Sequence, residues 1–159
     1  MDHEDRTLLA LIQRDGRMSY ARLAQQVGLS TAAVHDRLKK LKSNGVLISW
    51  SAIVDPDALG YPLLAFIRVQ TDLPGNARSL AEKLAALPEV LECHHVNGEW
   101  NCLIKVRAAG PAGLDALVSE QIASCPGILR LQTEVVSLST KESHIVPTID
   151  TSVTDHAAD

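Results

Sequence analysis

The stretch SYARLAQQVGLSTAAVHDRLKKL, residues 19–41, decides how the chain is read. Two helices joined by a tight turn need a small residue where they cross, a glycine in the turn and an apolar residue that locks the second helix down. Ala24, Gly28 and Val34 hold those places at the spacing of a helix-turn-helix. Ser19 and Ser30 are good N-caps for the two helices, and Val34, Leu38 and Leu41 recur at i, i+4 and i+7, which puts them on one buried stripe. The second helix, Thr31 to Ser43, then turns Thr31, Ala32, His35, Asp36 and Lys39 outward. With Ser30 at its start and Arg37, Lys39 and Lys40 along it, this helix is expected to lie in a DNA groove, His35 and Thr31 facing base edges and the cations facing phosphates.

Upstream, residues 2–14 carry Leu8, Leu9, Leu11 and Ile12 on one side and stop at Asp15-Gly16, which makes a first helix. Downstream, Asn44-Gly45 ends the helical part. Two brief β-prone runs follow, Val46 to Ile48 and Ser51 to Val54, then the breakers Asp55-Pro56-Asp57 and Gly60-Tyr61-Pro62. These read as a small wing and a linker. Residues 1–50 are thus a winged helix-turn-helix DNA-binding domain, and 51–62 the wing end and linker.

The periodicity changes at Leu63. Strand-like runs begin at Leu63, Val90, Cys102 and Ile128, and helical patterns run from Ala77 to Leu87 and from Pro111 to Ser124. Asn97-Gly98 is a hairpin-turn dipeptide. The order β-α-β-β-α-β is the ferredoxin-like arrangement, a four-stranded antiparallel sheet with both helices on one face, so the fold class is α+β. The strands read as apolar on both sides, which predicts that the uncovered face is buried by dimerisation. This domain spans 63–143, and the polar, aperiodic 144–159 reads as a flexible tail.

Composition agrees with two modules. The 159 residues have a net charge of −4, but residues 1–50 hold eight Lys/Arg against five Asp/Glu and residues 51–159 seven against fourteen. The basic half suits DNA and the acidic half does not. Aromatics are 3%, too few for stacked single-stranded bases. No apolar run approaches the roughly 18 residues of a membrane span, and the acidic start at Met1 to Asp5 is unlike a secretory signal. The expectation is a cytoplasmic protein with no membrane partner. Three cysteines without CxxC spacing fit a reducing compartment.

A resemblance sharpens this. Asp5-Arg6-Thr7-Leu8-Leu9 with Asp15-Gly16-Arg17, Leu23-Ala24 with Val27-Gly28-Leu29-Ser30, and Arg37 to Leu41 with Gly45 to Ile48 resemble the Lrp/AsnC, or feast/famine, family of regulators. Pro88-Glu89-Val90, Glu92-Cys93-His94, Val96-x-Gly98, Pro126-Gly127-Ile128 and Thr133 to Val136 resemble that family's second domain. The resemblance implies a winged helix-turn-helix on a ferredoxin-like domain that dimerises, assembles further to tetramers or octamers, and senses a small molecule, commonly an amino acid. It implies effector-binding positions at Gly98, Glu99, Trp100, Asn101 and Thr133. Asn101 stands where the family usually has Asp, and Leu131 where Thr is often found. Asn offers a ligand ammonium only a neutral acceptor, which points to weak amino-acid binding or a less cationic ligand.

Rival chemistries find less to stand on. No GxSxG, GxxxxGK, GxGxxG or HExxH occurs, so no catalytic residue, no metal site and no cofactor are expected. Cys93, His94, His95 and Cys102 invite a redox or metal sensor, but a two-residue turn would oppose Cys93 to Cys102 and leave His95 as third ligand with no fourth, and a longer turn breaks that register. Core packing is the simpler role for both cysteines. The reading is a sequence-specific DNA-binding transcriptional regulator, not an enzyme, whose DNA binding or oligomeric state responds to a small-molecule effector. The alternatives are a ligand-independent architectural DNA binder and a Cys/His-based redox or metal sensor.

Overall fold

The computed structural model describes residues 1–71 and 77–148. They form two compact units, one built from Met1–Ile53 with the segment from Lys141 onward, the other from Val54–Thr140.

In the first unit three helices follow each other: α1 (His3–Arg14), α2 (Tyr20–Val27) and α3 (Thr31–Ser43). Each starts where a side-chain oxygen meets an orphan N–H. The Asp5 N–H donates to Asp2 at 2.9 Å, the Arg22 N–H to Ser19 Oγ at 3.3 Å and the Ala33 N–H to Ser30 Oγ at 3.1 Å. Gly28 ends α2 at φ +69°, a conformation that a Cβ would strain. Leu8, Leu9, Ile12, Leu23, Ala24, Val34, Leu38 and Leu41 form the core.

The stretch read as a wing differs. Among the described residues, 46–54 contains no strand, and Val46, Ile48, Trp50, Ile53 and Val54 are exposed. A β-prone run becomes a strand only where an edge pairs with it, and none does so among the described residues. Val146, in the stretch read as a tail, is held to α1: its N–H donates to Gln13 Oε1 at 2.7 Å, and Gln13 Nε2 donates back to its carbonyl at 3.0 Å. Residues 149–159 lie outside the described residues.

The second unit comprises β1 (Leu63–Thr71), α4 (Ala77–Ala85), β2 (Val90–His95), β3 (Cys102–Ala108), α5 (Pro111–Ala116) and β4 (Ile128–Val135). The sheet order is β2-β3-β1-β4, antiparallel throughout. Ala65, Ile67 and Val69 of β1 and Cys102, Ile104 and Val106 of β3 turn to the helices, where they meet Leu80, Leu84, Leu114, Leu117 and Ile122. Fully burying such a Leu or Ile side chain contributes about 1.5–3 kcal/mol.

The last helix is not uniformly α-helical, because Leu117–Ile122 winds as a π-helix. Leu117 and Ile122 are both buried. Five residues in an α-helix turn about 140° past a full circle, which would aim one of the two away from the sheet; the wider winding brings both down.

The uncovered sheet face also departs from expectation. Phe66 and Leu103 lie on it half-buried, but the register sets Phe66 between Lys105 and Glu134, and Arg68 between Leu103 and Gln132. Ion pairs cross it, Lys105 to Glu92 at 3.2 Å and Arg68 to Glu134 at 3.3 Å. Reading the strands as apolar on both sides overlooked the charges interleaved at alternate positions. The face is amphipathic.

Candidate nucleic-acid interface and effector site

The short turn at Gly28 and the Ser30 cap fix where α3 begins, and the stripe Val34, Leu38, Leu41 fixes which face is free. Thr31, Ala32, His35, Asp36, Lys39 and Lys40 are all exposed. Ser30 is engaged as the cap. Basic Lys40 and Lys42 fall in the last turn of α3, where cations also complement the helix dipole.

Arg37 behaves differently from the other cations. Its Nη1 lies 2.6 Å from Asp2 Oδ2 and 2.8 Å from Asp5 Oδ1, so it binds α3 to the capping box of α1. Read from the sequence as a phosphate contact, it is taken up inside the unit. The N–H of Asp5 and the guanidinium of Arg37 hold the Asp2 carboxyl down at about 2, and the two carboxylates push the Arg37 pKa up. A carboxyl whose folded pKa lies below its ordinary 3.8 supports the fold above that value, and loses the contribution as pH falls towards the folded pKa. The helical unit is therefore expected to lose stability between about pH 4 and pH 2. Asp2→Asn keeps a cap and removes the titration, so an acid melt of this variant should show a flatter limb; an unchanged limb would remove Arg37 from the account.

Tyr20 was not singled out by the sequence. Its ring meets that of His35 edge-on, centroids 5.7 Å apart and planes at 67°. Nothing in the 15-residue separation signals it, because the contact arises from how the turn folds α2 back on α3.

The hairpin between β2 and β3 is longer than Asn97-Gly98 suggests. His95 pairs with Cys102, and the Val96 N–H donates to the Asn101 carbonyl, leaving residues 97–100 as the loop with Gly98 at φ +126°. Glu99 and Trp100 both meet Arg130 of β4. Arg130 Nη1 is 2.9 Å from Glu99 Oε1, and its guanidinium lies 5.1 Å from the centre of the Trp100 ring. Arg130 is the residue that sequence reading missed, since nothing local ties β4 to a loop some 30 positions earlier. Asn101 is already bonded: its Oδ1 accepts from the Thr71 N–H at 3.0 Å and its Nδ2 donates to Thr71 Oγ1 at 2.7 Å. Thr133 is not part of this group. It pairs with Ile67, while Arg130 pairs with Gln70, and three residues along a strand put the two side chains on opposite faces.

The longer loop places Cys93 opposite Ile104 rather than Cys102. The two sulfurs still approach to 3.7 Å across the diagonal, and Cys93 Sγ donates to the Ala81 carbonyl. Burial, aided by Cys93, pushes the Cys102 thiol up to about 12, which keeps it protonated and a poor nucleophile or metal ligand. Among the described residues no group of three or more His, Cys, Asp or Glu is placed to hold a metal, and no helix is long and apolar enough to cross a membrane. Glu92 loses solvation on the sheet, which raises its pKa, but hydrogen bonds from His94 and Lys105 outweigh this and hold it below the ordinary range.

Comparison with known proteins finds the same two parts. Residues 1–42 match the AsnC-type helix-turn-helix domain, and residues 64–146 the Lrp/AsnC ligand binding domain. An HTH-type transcriptional regulator of Pyrococcus horikoshii is 31% identical over 147 residues, covering 92% of this chain and 96% of the relative. The proline dehydrogenase transcriptional activator of Rhizobium radiobacter is 34% identical over 148 residues, 91% of this chain and 94% of its own. Among solved structures, a transcriptional regulator of Neisseria meningitidis in complex with L-Met superposes with a TM-score of 0.87 at 28% identity, covering 92% and 96% of the two chains.

Proposed function

The chain belongs to the Lrp/AsnC family of transcription regulators, and from that membership we propose how its residues divide the work. Helix α3 lies in the major groove with Thr31, Ala32, His35 and Asp36 at base edges. Lys39 and Lys40 follow the phosphates, and Ser30 holds the helix N-terminus that faces the backbone. The observation that carries this reading is the exposed outer face of α3 on a capped, tightly turned helix pair. Salt-dependent retention of duplex genomic fragments by the purified protein, its own promoter region included, tests it.

The effector is a zwitterion of the amino-acid type, held at the hairpin. Arg130 takes its carboxylate, Glu99 its ammonium, and Trp100 walls its side chain, while Gly98 keeps the loop backbone close. The Glu99–Arg130 pair at 2.9 Å beside an aromatic ring supports this. It also supplies the anionic partner that Asn101 does not, for Asn101 is bound to Thr71 as a strut. The Neisseria relative carries L-Met, which makes aliphatic amino acids the first probes. A ligand at 100 times its Kd stabilises by about 2.7 kcal/mol. Arg130→Gln and Trp100→Ala are expected to abolish that thermal shift and Asn101→Asp to leave it. A screen in which no amino acid shifts the wild type would favour a ligand-independent regulator.

Copies of this cytoplasmic regulator pair through the amphipathic sheet face, with the half-buried Phe66 and Leu103 at the contact, and dimers associate further into tetramers or octamers. Light scattering is expected to give a multiple of 17.2 kDa; the monomer mass at micromolar concentration would overturn the pairing.

A further inference from the structure

A neutral imidazole has one N–H and one lone-pair nitrogen, and the bond made by one decides what the other offers. On the outer face of α3, His35 Nδ1 lies 3.4 Å from Asp36 Oδ1. A carboxylate only accepts, so a hydrogen bond across this contact requires the tautomer with its proton on Nδ1, and that tautomer leaves Nε2, the nitrogen farther from the backbone, as a hydrogen-bond acceptor. The Tyr20 ring, edge-on at 5.7 Å and 67°, limits how the imidazole can turn. Asp36 itself, with 81% of its side chain exposed, is a second group on the same face that can only accept.

In the major groove the donors are the exocyclic amino groups, N6 of adenine and N4 of cytosine, while guanine N7 and O6 and thymine O4 accept. An acceptor at Nε2 gains a bond from the first pair and is left facing lone pairs with the second. We infer that His35 reads an exocyclic amino group through Nε2 and thereby discriminates adenine or cytosine against guanine or thymine on the contacted strand, with Asp36 and Tyr20 as the positioning residues that set its tautomer and orientation. Discrimination of this sort comes as much from what the site repels as from what it binds. The inference rests on the placement of α3 in the major groove proposed above.

The experiment uses the full chain at pH 8. Selection from a random duplex library yields a bound sequence, and that sequence is remade with single base analogues. At one position in each half-site, A or C is expected, and replacing it by the analogue without the amino group, purine or 2-pyrimidinone, should weaken binding about tenfold. The same replacement should cost nothing in His35→Ala. Asp36→Ala is expected to admit guanine at that position and Asp36→Asn, which can still accept, to preserve the preference; Tyr20→Ala should broaden it and Tyr20→Phe should not. Long-range proton–nitrogen NMR of the free protein should find the His35 proton on Nδ1 in the wild type and redistributed in Asp36→Ala. Enrichment of guanine, with the weakening appearing on 7-deazaguanine instead, would overturn the inference and leave DNA binding standing. Failure to retain any duplex at low salt would overturn the DNA reading itself.

Discussion

Leu23→Ala is expected to abolish DNA retention while the sheet unit remains folded. Leu23 is completely buried and sits in a cluster with Leu8, Val34 and Leu38, which draws on all three helices of the first unit. Truncating a buried Leu to Ala costs about 2–5 kcal/mol, the transfer of the deleted methyl groups plus the cavity they leave. A module of about 50 residues buries too little surface to absorb such a loss easily. The sheet unit has its own core around Ile67, Leu84 and Ile104, and none of those residues belongs to the helical cluster. Hydrogen exchange should therefore show loss of protection in residues 3–43 and native protection in β1 and β3. Simultaneous loss in both units would mean that they share one cooperative transition.

What the sequence shows and what it conceals divides along range. Ser19, Gly28 and Ser30 act on backbone groups within a few residues of themselves, and the spacing of Val34, Leu38 and Leu41 is a property of one helix, so the helix-turn-helix could be read directly. The strand order was equally legible, because βαββαβ leaves few ways to cover one sheet face. Three features depended on partners far along the chain. Arg37 looks like any other cation on a basic helix until Asp2 and Asp5, more than 30 residues away, claim it. Asn101 reads as a weakened ligand position until Thr71 takes both ends of its amide. Arg130 has no local mark at all, yet it gathers Glu99 and Trp100. Two local features were left open by the residues alone: the turn at Asn97-Gly98 takes residues 97–100 as its loop, and the helix read from Pro111 onward winds as a π-helix at Leu117–Ile122, where both ends are buried.

That difference between Arg37 and its neighbours gives the second large effect. For every DNA phosphate that a protein ceases to neutralise, the slope of log affinity against log salt falls by about 0.9. Lys39 and Lys40 are exposed, and replacing both by Ala should lower the slope by about 1.8 and weaken all duplex sequences alike, leaving the preference among them intact. Arg37→Gln should leave the slope unchanged, because its guanidinium is held on Asp2 and Asp5 at 2.6 and 2.8 Å. Its effect should appear instead as a lower melting temperature of the helical unit. Salt titrations of the wild type and these two variants on one duplex decide the matter. An unchanged slope in the double Lys variant would move the phosphates away from the C-terminal half of α3. An equal fall in Arg37→Gln would mean that Arg37 leaves its carboxylates when DNA arrives, and the ion pair would then compete with DNA binding rather than supporting the fold alone.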